Sequence, residues 1–384
     1  MKYRKHKCLR KGLTKTAGLV IILVIVIIGV LAGSYYFGGT VGGVEENFSV
    51  NSTPSKTSWV IDDYDRNVTL PPSIERIVFA GKGARTIVQS AYAFKSAPEK
   101  IVGLDTSSAG SPLVQAVDPY LENKTAMEPL NLNAEEVLAL NPDVVVLKSY
   151  MRSKGGKQIE EAGVPVIYLD METSEKFFSG FITLGRVFGE EDRARELVDY
   201  MKSVLEFVDD KVSKVPESER PRVLFLYYST KGGTIAFKVP GQHWIQNVIV
   251  EKAGGVSVSA NMSSSGWSVV NLEQIIRWNP DYVFVVTYRS DPSPTDIAQQ
   301  ILKDPDWSAV KAVKEGHVYG VPGGFDSWDM PTPKWILCVL WMTKHLYPDL
   351  FRDVDVKEKV IEYFMTLYNL PRDTAESLVP PEVQ

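Results

Sequence analysis

The chain has 384 residues, of which 44% are hydrophobic and 23% charged, a composition typical of a folded protein long enough for two domains. Its 42 Lys and Arg residues are unevenly placed. Seven lie in residues 1–44, which hold no acidic residue, so the remainder carries 35 basic against 47 acidic residues. A body this acidic is unsuited to nucleic acid, which needs a basic face, and we expect no nucleic-acid partner.

The first predicted element is an uncharged segment long enough to cross a bilayer. The run AGLVIILVIVIIGVLAG begins at Ala17, and with the residues that follow it spans 17–37. Basic residues precede it and none follow it directly, so we expect residues 1–16 in the cytoplasm and the body outside the cell membrane, held by this single pass. A signal sequence cut near Ala32 is the alternative. Residues 38–58, rich in Gly, Ser, Thr and Asn, predict a flexible tether.

An amino-terminal α/β lobe is predicted over residues 59–173. The segment WVIDDYDRNVTLP, from Trp59, indicates a hairpin of two short strands around an Asp-rich turn. Helical patterns then alternate with strand-like runs that begin at Arg76, Lys100, Asp143 and Pro165. This alternation is typical of parallel α/β construction.

A long amphipathic helix is predicted next, within an inter-lobe helical region of residues 174–216. From Glu190 to Lys214 the apolar residues recur at intervals of three and four, which places them on one face of a helix roughly 37 Å long. The α/β pattern restarts over residues 217–384. The predicted fold class is therefore α/β, with two similar parallel-sheet lobes joined by one long helix and preceded by an N-terminal transmembrane helix.

A repeated motif occurs once in each predicted lobe. NAEEVLALNPDVVVL begins at Asn133 and NLEQIIRWNPDYVFV begins at Asn271, an offset of 138 residues. In both copies Asn is a suitable helix N-cap, and Asn-Pro-Asp ends the helix before a buried strand. Capping preferences explain these features, but they do not require Glu135 and Glu273 in the first turn of both copies. Two similar lobes also predict a ligand site in the cleft between them.

The chain resembles a known family from about Trp59 to Pro371. The motifs that carry the resemblance are, in order, VIDDYDRNVTLPPSIERIVFAG, KIVGLD, NAEEVLALNPDVVVL, EEAGVPVIYLD, VIVEKAGG, GWSVVNLEQIIRWNPDYVFVV, DWSAVKAVKEGHVYGVP and MPTPKWILCVLWMTKHLYPDLF. The resemblance is to the solute-binding proteins of ABC importers whose two lobes are joined by a rigid helix. It implies a receptor that binds a ferric siderophore, haem or cobalamin without catalysis and without a cofactor of its own. It also implies delivery of this iron or cobalt complex to a permease dimer with its ATPase subunits.

The resemblance implies a role for the repeated glutamates as well. In similar proteins one acidic residue on the tip of each lobe docks onto arginines of the permease dimer. Position in the motif assigns this role to Glu135 and Glu273. Two equivalent carboxylates suit two copies of one basic pocket and can steer the encounter.

The residues expected to bind the solute follow the carboxyl ends of the predicted strands, where open α/β sheets bind ligands. They combine cationic side chains with aromatic rings, which suits a flat or chelated anion because rings stack and Arg pairs with carboxylates. A Tyr phenolate or a His is a further option as a direct iron ligand. The predicted ligand-binding residues are Lys82, Arg85, Tyr150, Arg152, Tyr228, His243, Trp244, Trp267, Tyr288, Arg289, Phe325 and Trp328, with Asp329 beside them.

Other functions are disfavoured by what the sequence lacks. A receptor for bare zinc or manganese generally needs several His and carboxylate ligands, and only His243 is suitably placed. The motifs G-x-x-x-x-G-K-[ST], G-x-S-x-G and H-E-x-x-H do not occur, and we find no assembled catalytic set. Two alternatives stay open, a surface sensor or adhesin with the same fold and a chelatase-like enzyme.

Overall fold

The amino-terminal lobe contains a hairpin and a five-stranded parallel sheet. The computed structural model describes residues 58–230, 234–262 and 266–383. The strands are β1 (Trp59–Ile61) and β2 (Asn67–Thr69) in the hairpin, then β3 (Ile77–Phe79), β4 (Ile101–Asp105), β5 (Thr125–Met127), β6 (Val144–Lys148) and β7 (Val166–Leu169). The sheet has the order β5-β4-β3-β6-β7, and every pair is parallel. The helices are α1 (Ala84–Ala91), α2 (Ala97–Lys100), α3 (Thr106–Ala109), α4 (Pro112–Val117), α5 (Ala134–Ala139) and α6 (Gly156–Glu161).

The predicted Asp-rich hairpin is confirmed, because β1 and β2 pair antiparallel. One carboxylate holds the turn. Asp62 Oδ1 accepts from the backbone N–H of Tyr64 at 3.0 Å and of Arg66 at 3.2 Å, and Oδ2 accepts from the Arg66 guanidinium at 2.7 Å. Arg66 also pairs with Glu160 at 2.9 Å, which fixes the hairpin to the lobe. The Asp side chain thus replaces backbone partners within the turn.

Two helices fill the predicted inter-lobe helical region of residues 174–216. They are α7 (Ser174–Phe188) and α8 (Glu191–Val212). The long amphipathic helix predicted from Glu190 to Lys214 is confirmed as α8, and α7 precedes it in the same connection. Gly189 ends α7 with φ +72°, a left-handed conformation that favours glycine. Glu190 then fixes the start of α8 to the first lobe, since its carboxylate accepts from the backbone N–H groups of Lys95 at 3.0 Å and Ser96 at 2.9 Å.

The carboxy-terminal lobe contains a mixed sheet. Its strands are β8 (Arg222–Ser229), β9 (Ala236–Val239), β10 (Val256–Ser257), β11 (Ser268–Val270), β12 (Tyr282–Val286) and β13 (Val318–Gly320). The order is β11-β9-β8-β12-β13, with β10 also paired to β8. The helices are α9 (Ile245–Lys252), α10 (Leu272–Trp278), α11 (Pro294–Lys303), α12 (Lys311–Glu315), α13 (Trp335–Leu346), α14 (Val356–Tyr368) and α15 (Arg372–Ser377).

The prediction of a second wholly parallel sheet is wrong at two strands. β9 runs antiparallel to β8, and β11 antiparallel to β9. The connection from β8 to β9 is too short for the crossover that parallel neighbours require, so the chain returns as a hairpin. The strands β8, β12 and β13 remain parallel, as in the first lobe.

The repeated motif is built alike in both lobes. Each copy supplies a helix, α5 or α10, and then a strand paired to the first sheet strand of its lobe, β3 or β8. Asn141 and Asn279 end the helices in left-handed conformations, with φ 47° and 44°. The Asp of each Asn-Pro-Asp then accepts the backbone N–H of an Arg that begins the partner strand region. These pairs are Asp143 with Arg76 at 2.9 Å and Asp281 with Arg222 at 2.8 Å.

One hydrophobic core runs through both lobes and the connecting helices. It joins β1 and α1 of the first lobe to α7, α8, α13 and α14. Phe177 of α7 meets Trp335 of α13 with ring centroids 5.8 Å apart. Separating the lobes widely would expose this apolar surface to water, and the free-energy cost is about 25 cal/mol for each Å² exposed. We therefore expect only a modest hinge motion.

The predicted membrane anchor, residues 17–37, lies outside the described residues, as do residues 1–16 and nearly all of the predicted tether. Among the residues that the structure describes, no helix has the length and apolar character needed to cross a membrane.

Candidate functional site

A cavity of about 510 Å³ lies between the two lobes. It is lined from the first lobe by Lys82, Gly83, Arg85, Thr86, Ser107, Pro129, Leu130, Lys148, Tyr150 and Glu172, and from the second by Trp244, Gln246, Trp267, Tyr288, Phe325, Met330 and Pro331. A second depression, of about 610 Å³, is confined to the far end of the second lobe around Arg222 and Asp281. Only the first of these two joins residues of both lobes, as a cleft that closes on a solute requires.

Parallel strands place the lining residues of the inter-lobe cavity. Lys82 follows β3, Tyr150 follows β6 and Glu172 follows β7, while Tyr288 follows β12 and Phe325 follows β13. The carboxyl ends of parallel strands meet at one edge of a sheet, so side chains distant in sequence converge there. In the two lobes these edges face the same cavity.

Arg85 is a half-buried cation on the cavity wall. Its guanidinium lies 3.9 Å from the centre of the Phe325 ring, and Nη2 donates to Met330 Sδ at 3.2 Å. Nη1 is buried and has no hydrogen-bond partner among the described residues. Burial lowers the pKa of Arg85, and the nearby Asp326 acts in the opposite direction. A buried N–H without a partner is costly, so the site favours an incoming anionic oxygen.

The other charges in the cavity leave it positive. Lys148 is buried and donates to Glu172 Oε1 at 2.7 Å and to the backbone oxygen of Asp170. Glu172 is the only carboxylate among the lining residues, and its pairing with Lys148 neutralises both charges. Lys82 and Arg85 form no ion pair within the described part of the chain, although the carboxylate of Asp326 lies near Arg85 behind the wall. These two cations on the lining suit an anionic solute.

Aromatic rings form one wall of the cavity. Trp267 lies at the centre of a group in which each ring meets the next edge-on, with centroids 5.8 Å from Trp244, 6.1 Å from Tyr288 and 5.3 Å from Tyr227. Tyr288 has φ 54°, and left-handed conformations of bulky residues are found mainly at functional sites. The rings provide an apolar wall on which part of a planar or chelated solute can stack.

The two phenols on the lining are held protonated. Tyr288 donates to Asp329 Oδ2 at 2.6 Å, and that carboxylate is fully buried behind the cavity wall. Tyr150 donates to the backbone oxygen of Lys82 at 2.9 Å. Burial raises the pKa of both phenols, and a neighbouring carboxylate raises it further in each case, Asp329 for Tyr288 and Glu172 for Tyr150. Neither phenol is therefore prepared to ligate iron as a phenolate.

Five of the predicted ligand-binding residues do not line the cavity. Arg152 donates to Glu160 at 3.2 Å, Arg289 donates to Thr230 at 2.8 Å, and His243 is exposed. Trp328 is buried in the core. Tyr228 packs against Phe237 because successive residues of a strand point to opposite faces, so its neighbour Tyr227 is the one that meets the aromatic wall. The predicted residues that do line it are Lys82, Arg85, Tyr150, Trp244, Trp267, Tyr288 and Phe325.

Sequence reasoning missed several lining residues. Lys148 and Glu172 lie at or just after strand ends, so the rule that selected Tyr150 also indicates them. Gln246, Met330 and Leu130 have no comparable signal, since loops and a helix of the tertiary fold bring them in. Within the described residues, no group of three or more His, Cys, Asp or Glu side chains is placed to hold a metal ion.

The repeated glutamates lie exposed on separate lobes. Asn133 accepts from the backbone N–H of Glu135 at 3.1 Å, and Asn271 accepts from that of Gln274 at 2.8 Å, so both Asn residues are N-caps as predicted. The carboxylates of Glu135 and Glu273 have no hydrogen bond or ion pair with any described residue. Two exposed carboxylates without partners remain available to an external partner.

Comparison with known proteins identifies the family. The model of the periplasmic binding protein family matches residues 84–323. The chain belongs to this family. It is 29% identical over 334 residues to the molybdate-binding protein MolA of Haemophilus influenzae, a match that covers 80% of this chain and 90% of that protein. It is 24% identical to the high-affinity heme uptake system protein IsdE of Staphylococcus aureus, over 56% of this chain and 73% of that protein.

Solved structures agree with this assignment. MolA with bound molybdate has a TM-score of 0.66 at 27% identity, covering 81% of this chain and 98% of that one. A periplasmic solute-binding protein of Veillonella parvula has a TM-score of 0.67 at 27% identity, covering 84% of this chain and 96% of that one. The chain is thus a substrate-binding protein of the ABC-importer class, and not an enzyme. The resemblance seen in the sequence is confirmed at this level.

Proposed function

We propose that the chain is an extracytoplasmic receptor that binds an anionic metal complex between its lobes and delivers it to an ABC permease. The solute class is that of ferric siderophores, haem and cobalamin. The observation that carries the proposal is Arg85, which lines an aromatic-walled cavity and whose buried Nη1 has no hydrogen-bond partner among the described residues. This arrangement suits an anionic group attached to a larger, partly apolar body.

The protonated phenols support a solute that brings its own metal ligands. Tyr150 and Tyr288 both donate their hydroxyl protons to protein oxygens. The described residues also offer no group of His, Cys and carboxylate side chains that would replace them as ligands. A metal that is already chelated needs only outer contacts, which are stacking against Trp267 and pairing with Arg85.

A compact oxyanion such as molybdate is the second candidate. The similarity to MolA, over 80% of this chain, favours it. The hydroxyl groups on the lining do not support a compact oxyanion. Thr86 donates to the backbone oxygen of Gly83 at 2.9 Å and Ser107 donates to Asp105, so their protons are already engaged. Such an anion would depend on Lys82 and Arg85.

A fluorescence titration of the full chain in detergent tests the solute class. Trp244 and Trp267 line the cavity, so bound haem, cobalamin or ferric siderophore should quench them. Molybdate and bare ferric ion complete the panel. We expect one metal complex to bind saturably below micromolar concentration. Arg85→Met should weaken binding about 10- to 100-fold, because a hydrogen bond to a charged group contributes about 1.5–3 kcal/mol. The exposed Arg277→Met is the matched control and should change nothing.

The panel also distinguishes the alternatives. Saturable binding of molybdate alone would replace the first candidate with the second. Silence across the panel would contradict both, and would move the function toward a surface sensor or adhesin. Solute binding without uptake in the cell would also favour a surface sensor, because a sensor needs a solute but no permease.

We further propose that residues 17–37 anchor the chain to the cell membrane and that Glu135 and Glu273 dock on the permease dimer. Anchoring raises the local concentration of receptor at the permease. Reversal of both charges, Glu135→Lys with Glu273→Lys, should leave solute affinity intact and abolish uptake. Reversal of two other exposed glutamates, Glu99→Lys with Glu251→Lys, is the control with the same change in net charge. Uptake that survives the first pair would remove the docking role.

A further inference from the structure

Glu172 is the carboxylate that the first lobe contributes to the lining of the inter-lobe cavity. Its Oε1 accepts from Lys148 Nζ at 2.7 Å, whereas its Oε2 has no hydrogen bond or ion pair within the described part of the chain. The side chain of Glu172 is 24% exposed and that of Lys148 only 2%. A solute in the cavity therefore meets the carboxylate, and the ammonium lies behind it.

The backbone just before Glu172 is in an unfavourable conformation. Met171 has φ 59°, and of the described residues other than glycine, Asn and Asp, only Met171 and Tyr288 are left-handed. Asn and Asp tolerate this conformation through their short polar side chains, and Met and Tyr have no such compensation. Both exceptions adjoin the cavity, because Met171 precedes Glu172 and Tyr288 lines the wall of the other lobe. Backbone strain of this kind is found mainly at functional sites.

Packing holds Met171 in this conformation. Its side chain is fully buried and lies against Gly180 of α7. A Cβ atom at Gly180 would lie 3.0 Å from Met171 Cγ, closer than ordinary van der Waals contact, so the glycine makes room for this side chain. Glycine within a helix is otherwise unfavourable. Local strain and a helical glycine thus both accompany the placement of Glu172 at the cavity.

The surroundings of Glu172 leave it able to accept hydrogen bonds. Burial raises the pKa of Tyr150 and Tyr288, and the charge of Glu172 adds to the rise in both, so the carboxylate lies near a phenol of each lobe. Neither phenol donates to it, because one donates to the backbone oxygen of Lys82 and the other to Asp329. An ionised carboxylate has several acceptor sites, and most of those on Glu172 remain for a ligand.

We propose that Glu172 determines the specificity of the receptor by accepting a hydrogen bond from a hydroxyl, amide N–H or ammonium group of the solute. This inference rests on the function proposed above and narrows its solute class. The solute is a metal complex that carries such donors in addition to the anionic group that pairs with Arg85. A solute without donors is rejected, because it leaves the Glu172 carboxylate desolvated and places its own negative oxygens against it.

Removing the ion pair as a unit tests this role. Lys148→Met with Glu172→Met leaves no buried charge alone, whereas the Glu172 change by itself leaves the Lys148 ammonium without a counter-charge. The matched control is Lys357→Met with Glu376→Met, an exposed Lys–Glu pair 3.1 Å apart that joins α14 to α15. Glu172→Gln is a second variant, which keeps the shape of the side chain and removes its charge.

The readout is a tryptophan fluorescence titration of the full chain in detergent with two kinds of solute. Cobalamin and a ferric tris-catecholate siderophore with amide linkages carry N–H donors, whereas haem and molybdate carry no N–H or O–H group at neutral pH. The double variant should bind the donor-bearing complex about 10- to 100-fold more weakly, because a hydrogen bond to a charged group is lost. It should bind haem and molybdate more tightly than the wild type does, which a purely structural defect would not produce. Glu172→Gln should shift both affinities in the same directions by a smaller factor, and the control should shift neither.

The outcomes separate this inference from the proposed function. If a donor-bearing complex binds the wild type and both Glu172 variants alike, Glu172 does not set specificity, while the receptor function stands. A wild type that prefers haem or molybdate refutes the inference as well, as does an equal loss of affinity for all four probes in the Glu172 variants. If the wild type binds none of the probes, the proposed solute class fails, and this inference fails with it.

Discussion

Replacing Asp326 with alanine tests how the two lobes are held together. Asp326 lies in the loop after β13 of the second lobe, but its carboxylate accepts from Ser111 Oγ of the first lobe at 2.8 Å and from Gln89 of α1. It also pairs with Lys334 Nζ at 2.9 Å, and the Lys334 side chain is only 5% exposed. This carboxylate therefore joins both lobes next to Phe325 on the cavity wall.

The structure gives the size of the effect. Asp326→Ala leaves the Lys334 ammonium buried without a counter-charge, and breaking a buried pair from one side costs about 3–5 kcal/mol. Burial raises the pKa of Asp326, but the charge and hydrogen bond of Lys334, the charge of Arg85 and the hydrogen bond from Ser111 together hold that pKa below its usual value. A carboxyl with a lowered folded-state pKa stabilises the fold above its unfolded pKa, about 3.9, and this contribution is lost as the pH falls through the folded value.

Urea unfolding of the full chain at pH 7, followed by circular dichroism, measures the loss. Asp349→Ala is the matched control, since Asp349 pairs with Arg352 at 2.8 Å and both side chains are largely exposed. That control should cost less than about 1 kcal/mol. Adding Lys334→Met to Asp326→Ala should recover part of the loss, because no buried charge then remains alone. If Asp326→Ala lowers the free energy of unfolding no more than Asp349→Ala does, the Asp326 carboxylate does not join the lobes as described.

Two further predictions concern the aromatic groups. Tyr288→Phe should reduce solute affinity less than about tenfold, because the hydroxyl donates to Asp329 rather than to the solute; a loss above a hundredfold in the fluorescence titration would show that the phenol is a ligand. Burial lowers the pKa of His345 to about 4, so this residue stays neutral in the fold. Above the unfolded pKa of about 6.5, neutral His345 causes no loss in the free energy of unfolding. As the pH falls to 4, that free energy declines by about 3 kcal/mol, because the unfolded state takes up a proton that the folded state does not. His345→Gln should remove that decline in urea unfolding, and an unchanged pH profile would refute it.

The parts of the fold that short-range rules determine were predictable from the sequence. Asn133 and Asn271 cap helices, and Asn-Pro-Asp turns each helix into a buried strand. These features need only residues that are adjacent along the chain, so a linear pattern contains them. The same holds for the Asp62 hairpin, whose carboxylate bonds to its own turn.

Features that depend on tertiary contacts were not predictable. The sequence of β9, Ala-Phe-Lys-Val, is compatible with either strand direction, and the short connection from β8 decides for antiparallel pairing. The choice between Tyr227 and Tyr228 depends on a register of one residue, which the sheet fixes and the sequence does not. Leu130 and Met330 reach the cavity from loops, where position follows from packing against the other lobe. The candidate site was therefore predicted in part, at strand ends such as that of Tyr150 and beside helices such as that of Trp244, and missed where loops such as that of Met330 bring residues in.

The most direct test of the central claim is a metal analysis of the full chain after dialysis against an equimolar mixture of haem, cobalamin, ferric siderophores and molybdate. We expect the wild type to retain one iron or cobalt complex per chain, Arg85→Met to lose it and Arg277→Met to keep it. Retention of no solute by the wild type, or equal retention by both variants, would contradict the account, because the cavity around Arg85 would then not be the binding site.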